Sequence, residues 1–244
     1  MKKSGPKSKT KTNRRSMKIL ITGHKGFVGK QLFERLRNEG HTVIGYDKGD
    51  SFPEQKIDIT FHLAANPKAL ESVKNPELAM ENIQLTFNVL NWMRTSGLCN
   101  KIIFASSTKI PGLDTPYSAS KFASENLIEA FCKSYNFGGV CLRFSNLYGQ
   151  NDRSDRFIPI VIEKALSNGQ IEIYGKEGSF IYIDDCIDIY VKTMDAMEIG
   201  KNKVYLVVNE KSSLVSVAEK IIKLTNSKSM IKLDEGLKKC LKQQ

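Results

Sequence analysis

A chain of 244 residues, 41% hydrophobic and 26% charged, can bury a sizeable core and is too apolar for an intrinsically disordered chain. It has no apolar run near the roughly 18 residues a membrane-spanning helix needs, no secretory-type N-terminus and no C-x-x-C pair among its five cysteines, so a cytoplasmic protein is expected, with no disulfide framework. Seven of the eleven excess positive charges lie in residues 1–16, which weakens a nucleic-acid reading of the net charge.

That basic segment contains almost no large apolar group and is expected to be a disordered tail. A solvated tail is the first reading and a polyanion-docking arm the second. Nucleic acid is not expected as a partner except through this tail, and the absence there of aromatic residues to stack on bases favours the solvated reading. The three histidines, His24, His41 and His62, lack paired spacing, and no metal site is expected.

Residues 18–22 form a short apolar run that ends in Gly23-x-x-Gly26-x-x-Gly29. Residues 27–38 continue with helical periodicity, Val28, Leu32 and Leu36 sharing a face. Gly40 ends that helix, residues 41–46 give a second strand, and Asp47 stands at its end. Such a βαβ unit binds a dinucleotide: the glycines allow a tight turn, and the helix N-terminus faces pyrophosphate. Asp47 at that place accepts from ribose hydroxyls and repels a 2′-phosphate, which predicts NAD over NADP. Lys25 and Lys48 flank it and are expected to soften the repulsion.

Further strands are predicted at 57–63, 101–105 and 138–144, with helices at 77–96 and 117–135. The alternation implies an α/β fold, a doubly wound parallel sheet of Rossmann type. Beyond Gly149 come a helix at 158–167, a strand at 171–174, the apolar run 180–183 followed by Asp184-Asp185, a strand at 203–208 and a helix at 214–224. These are expected to form a small C-terminal substrate-binding cap. The predicted organisation is a tail at 1–16, a dinucleotide domain at 17–149 to which 180–192 returns, and a substrate-binding region at 150–244.

Tyr117 and Lys121 lie four residues apart, on one helix face, after the pair Ser106-Ser107. The spacing puts an ammonium near a phenol, and a neighbouring cation is expected to lower the phenol's pKa toward that of a working proton acceptor.

Together these motifs resemble those of the extended short-chain dehydrogenase/reductases, the nucleotide-sugar epimerase/dehydratase group, over residues 17–225. T-G-H-K-G-F-V-G at 22–29 resembles the cofactor turn and Phe61-His62-Leu63-Ala64-Ala65 the strand end along the dinucleotide. L-R-F-S-N-L-Y-G at 142–149 and F-I-Y-I-D-D at 180–185 are similar to two further family segments. The resemblance implies cofactor contacts from Gly23, Lys25, Gly26, Phe27, Val28, Gly29, Asp47, Lys48, Leu63, Ala64, Ala65, Asn82 and Lys121. Asn82, with Glu71-Ser72-Val73 and Pro76, is most similar to the UDP-sugar 4-epimerases.

For the chemistry, the resemblance implies Tyr117 as base on a sugar hydroxyl, Ser107 on the same oxygen and Lys121 on the ribose. Asn146 is implied as a contact to the sugar nucleotide. An epimerase is the first reading and an NAD(P)H-dependent ketosugar reductase the alternative. From another class comes an NAD-binding scaffold with an eroded pocket. A 4,6-dehydratase is disfavoured because an Asp-Glu pair is expected after the catalytic serine, where this chain has Thr108 and Lys109. The resemblance also implies a homodimer through helices 77–96 and 117–135.

Three departures from the family pattern bear on the pocket. Only ten residues separate Asp47 from Asp58, so a strand and helix are missing and weak cofactor affinity is expected. The stretch between Ser107 and Tyr117 is short. An arginine expected before F-I-Y is replaced by Gly178-Ser179, with Arg153, Arg156 or Lys176 left as pyrophosphate clamps, the lysine the poorer one.

Overall fold

The structure, a computed structural model, describes residues 15–233; residues 1–14 of the basic tail and Cys240 lie outside the described residues. In chain order, β1 (Lys18–Thr22) runs into the glycine turn and α1 (Phe27–Asn38), then β2 (Thr42–Tyr46), β3 (Ile59–His62), α2 (Ala69–Lys74), α3 (Glu77–Ser96), β4 (Lys101–Ser107), α4 (Pro116–Tyr135) and β5 (Gly138–Phe144). There follow β6 (Asn146–Tyr148), α5 (Phe157–Leu166), β7 (Ile171–Ile173), β8 (Glu177–Gly178), β9 (Phe180–Tyr182), α6 (Ile183–Thr193), β10 (Asn202–Val207), β11 (Ser212–Ser213), α7 (Leu214–Leu224) and β12 (Ile231–Leu233).

Local chemistry sets several of these ends. α3 stops at Gly97, whose left-handed conformation lets its N–H reach the Met93 carbonyl. α4 starts where Thr115 caps the Ser118 N–H at 3.2 Å and Pro116 occupies the first helical position.

Six strands form one parallel sheet in the order β10-β5-β4-β3-β1-β2. Its central strands are buried on both faces, which is why they read as continuous apolar runs. β1 sends Ile19 and Ile21 into a layer with Leu32 and Leu36 of α1 and Ile187 and Tyr190 of α6. Leu20 points the other way, into a layer with Val89, Leu90 and Met93 of α3 and Ile128 and Cys132 of α4. A separate small core joins α5, β7, α7 and β12 around Val161, Ile171, Ile173 and Ala218.

Two features differ from the sequence reading. The strand placed at 203–208 in the substrate-binding region is β10, which pairs in parallel with β5 as the sixth strand of the main sheet. α6 carries the chain back by packing on α1, with Arg35 bonded to Asp188 at 2.8 Å. Within 180–192, α6 and Ile181 of β9 return to the main core, while β9 pairs with β6 in a two-stranded sheet. The strand predicted at 101–105 extends to Ser107, which puts Ser106 and Ser107 on the sheet itself.

The short link between Asp47 and Asp58 leaves β2 at the sheet edge, with no strand beyond it. In place of a strand and helix, Phe52 inserts its ring between Tyr46 and Trp92, with centroids 4.3 and 5.0 Å away and planes within 9° of parallel. Asp58 closes the start of β1 by accepting from the Lys18 N–H at 2.7 Å.

Candidate active site

A cleft of about 490 Å³ opens at the carboxyl ends of the strands, between the main sheet and the segment around α5. Such a crevice is where open α/β sheets take their ligands. Gly23, Gly26, Phe27, Val28 and Gly29 line one end. The Gly23 N–H donates to the Tyr46 carbonyl at 2.8 Å, and its φ of +74° with a Cβ position only 2.8 Å from the Ala64 nitrogen excludes a side chain. A Cβ on Gly29 would stand 2.1 Å from the Gly23 carbonyl oxygen. α1 therefore starts hard against the turn, with no side-chain cap and no acid in its first turn. Its free N–H groups and positive dipole end are left for an anionic ligand. These features fit a dinucleotide pyrophosphate.

Behind the turn, buried His62 sets the spacing of β1, β3 and α3. Its Nδ1 lies 2.7 Å from the Thr22 hydroxyl and its Nε2 3.1 Å from that of Thr86. Thr86 also lies within bonding distance of the Asn82 carbonyl, and Thr22 Oγ1 accepts from the Ala64 N–H. Burial, with a smaller contribution from the Lys121 charge, holds the His62 pKa down at about 3. The imidazole is thus neutral, a structural bridge.

Leu63 and Ala65 line the cleft with the glycines, whereas Ala64 serves as the backbone wall against Gly23. Asn82 does not line it. Its amide clamps both the N–H and the carbonyl of Asn66 and reaches Ser120, so it shapes the loop after β3. Asp47, Lys25 and Lys48 are not among the residues that line the cleft; one Asp47 carboxylate oxygen accepts from the Lys25 N–H at 3.2 Å, and Lys48 is paired with Glu81 of α3 at 3.0 Å.

At the other end, Ser107, Tyr117 and Lys121 all line the cleft. The Tyr117 N–H donates to the Ser72 hydroxyl at 3.0 Å, which fixes the start of α4. Ser72 was quoted in a family motif without a role; only the fold shows this one. Burial pushes the phenol pKa up, opposed by the nearby Ser107 side chain and then by the charges of Arg156 and Arg153.

The expectation that Lys121 acidifies Tyr117 is corrected here. Lys121 Nζ donates to the Ala105 carbonyl at 2.9 Å and lies 4.7 Å from the Phe104 ring centre, against 5.8 Å from that of Tyr117. The ammonium is turned into the sheet, where burial lowers its pKa to about 8.

Asn146 lines the cleft and donates to the Ser179 carbonyl at 3.1 Å. Arg153 and Arg156 also line it. Each is held by an acid of its own loop, Arg153 doubly by Asp155 at 2.9 Å and Arg156 by Asp152 at 3.2 Å. Lys176 is exposed at the bend between β7 and β8, outside the cleft lining. Of these three, the two arginines line the cleft and the lysine does not.

A parallel sheet with an open glycine turn at one end of its cleft and a Ser-Tyr-Lys trio at the other defines a dinucleotide-binding Rossmann-type protein built for redox chemistry. The chain belongs to the NAD dependent epimerase/dehydratase family, whose model matches residues 19–207. Among curated relatives, it is 25% identical to an uncharacterized UDP-glucose epimerase of Bacillus subtilis, YtcB, over 91% of this chain and 86% of that protein. It is 26% identical to the UDP-2-acetamido-2,6-beta-L-arabino-hexul-4-ose reductase of Pseudomonas aeruginosa, over 92% of this chain but 63% of that one. Among solved structures, MoeE5 in complex with UDP-glucose and NAD superposes with a TM-score of 0.80 at 24% identity, over 89% of this chain and 85% of that chain. Epimerases and reductases thus both occur among the relatives. Among the described residues no helix is long and apolar enough to cross a membrane.

Proposed function

We propose that this protein is an NAD-dependent nucleotide-sugar epimerase that works by transient oxidation of a sugar hydroxyl. The observation that carries the reading is that Ser107, Tyr117 and Lys121 line the same cleft as the open glycine turn. When bound, NAD⁺ would supply the acceptor for the hydride leaving the sugar carbon.

The N–H groups at the start of α1 hold the pyrophosphate, and Asp47 takes the adenosine ribose hydroxyls. Tyr117 removes the proton of the sugar hydroxyl while Ser107 orients the same oxygen, a division of labour typical of general base catalysis. Lys121 would hold the nicotinamide ribose. Arg153 and Arg156 exchange an acid partner for the substrate diphosphate, and Asn146 contacts the sugar nucleotide. The segment around α5 and α7 forms the substrate side of the cleft. Thr108 and Lys109, which follow Ser107 on the cleft wall, offer no carboxylate for moving protons at neighbouring carbons, which counts against dehydration. Outside the cleft, Phe87 of α3 and Phe122 of α4 are 41% and 43% exposed, and a homodimer through these helices would cover them.

The test is purified protein with NAD⁺ and a panel of UDP-, GDP- and dTDP-sugars. Sugar interconversion without net formation of reduced cofactor supports the epimerase. Consumption of added NADPH by a ketosugar assigns a reductase instead, and silence with every sugar refutes both enzymes. Tyr117→Phe is expected to lower turnover by about 10²–10⁴-fold while NAD⁺ binding is retained.

A further inference from the structure

Beneath the Ser-Tyr-Lys trio lies an ion pair with no part in the chemistry just described. Glu125 is one helical turn beyond Lys121 on α4 and only 4% exposed. Its Oε1 accepts from the Ser106 hydroxyl at 2.5 Å and from Arg143 Nε at 2.9 Å, and its Oε2 accepts from Arg143 Nη2 at 2.6 Å. Ser106 and Arg143 are register partners on β4 and β5. Ser106 precedes Ser107 in the chain and follows Ala105, whose carbonyl accepts from Lys121.

We propose that Glu125 is a positioning residue: its single carboxylate ties α4 to both strands, fixes the height of Lys121 beneath Tyr117, and keeps that lysine an ammonium ion in the cleft. The inference rests on the reading of the cleft given above.

The physical need is plain. A lysine buried in a sheet is pushed toward its neutral form, in which it has fewer N–H bonds and no charge to give a ribose. The groups facing Lys121 are Tyr117 and Glu125 on its own helix, His62 on β3 and Cys141 on β5, with Arg143 of β5 behind Glu125. β4 presents only an aromatic ring, a carbonyl and a serine. Glu125 is the acid in this set. Burial lowers the lysine pKa, opposed by Cys141 and then Glu125; burial keeps the Cys141 thiol protonated, so the standing negative charge is that of Glu125. A double hydrogen bond from a guanidinium also fixes the plane of the carboxylate, so the tie is one of direction as well as charge.

The experiment is NMR of lysine labelled with ¹⁵N at Nζ and ¹³C at Cε, with Lys121 assigned from its loss in Lys121→Met. The wild-type midpoint is expected near pH 8. Glu125→Gln is expected to lower it, since burial and an uncompensated Arg143 both favour the neutral lysine. The paired change Glu125→Met with Arg143→Met removes both charges without stranding one, and keeps the test alive should Glu125→Gln fail to fold. It is expected to lower the midpoint too, whereas Ser106→Ala, which keeps the charge, leaves it in place. An unmoved midpoint in the paired variant overturns the proposal. A merely structural pair would lower stability with the midpoint unchanged. The readout needs neither cofactor nor sugar, so a shifted midpoint in a protein silent toward every sugar sinks the epimerase reading and leaves this inference standing. Where turnover is measurable, the alkaline limb of its pH profile is expected to move down with the midpoint.

Discussion

Gly29→Ala tests the cofactor turn most directly. The added methyl would stand 2.1 Å from the Gly23 carbonyl oxygen and 2.8 Å from the His24 Cα, where ordinary contact begins near 3.4 Å. Both obstacles are backbone, so no side chain can swing away, and the start of α1 must move about 1 Å from the turn. That movement strains the bond from the Gly26 N–H to the Gly23 carbonyl, 3.0 Å in the native turn. Overpacking of this kind destabilises by about 1–3 kcal/mol, or roughly 2–12 °C in Tm for a domain of this size. The effect on ligand is the larger. Misaligning one charged hydrogen bond from the helix N-terminus forfeits about 1.5–3 kcal/mol, so NAD⁺ affinity is expected to fall about 10–150-fold. Titration calorimetry with NAD⁺ gives the affinity, and fluorescence of Trp92, the sole tryptophan, follows the melt. Wild-type affinity in a folded Gly29→Ala variant would refute the assignment of this turn to the pyrophosphate.

Other outcomes follow from single groups. His62 is buried neutral with its pKa near 3, against about 6.5 in the unfolded chain; between those values the unfolded state binds the extra proton. Its contribution is therefore complete above pH 6.5 and is lost as pH falls toward 3, by up to about 1.4 kcal/mol per unit. Urea melts at pH 7 and 4.5 should differ less in His62→Gln than in wild type, and equal differences would contradict the neutral bridge. Arg153→Ala and Arg156→Ala are each expected to weaken UDP binding by roughly 10–100-fold, and Lys176→Ala to leave it unchanged; calorimetry with UDP separates the three. Phe52→Ala removes the middle ring of the Tyr46-Phe52-Trp92 stack and should cost about 2–3 kcal/mol, with a red shift in Trp92 emission.

Much of the fold was legible before any coordinates. Residues 18–22 and 138–144 read as buried strands because a parallel sheet covers both faces and needs no alternation. The glycine turn was legible because its spacing follows from sterics at Gly23 and Gly29. The missing strand was legible too, since ten residues between Asp47 and Asp58 cannot hold a strand and a helix. Ser107, Tyr117 and Lys121 line one cleft, because strand ends and the helices after them share one rim of the sheet.

What the sequence left open depends on groups far apart along the chain. Nothing local in Asn202–Val207 marks it as a neighbour of β5; that follows from α6 packing on α1. Lys176, the poorer of three candidate clamps by chemistry, is set apart from Arg153 and Arg156 by its place at the bend between β7 and β8, outside the cleft lining. The four-residue spacing gave Lys121 the right helix face but not the direction of its ammonium, which the Ala105 carbonyl and Phe104 ring of β4 decide. The phenol pKa goes up because burial is a property of all the layers that enclose Tyr117. Periodicity records which face of an element is apolar; which charge or carbonyl meets a side chain there is settled only when the elements pack.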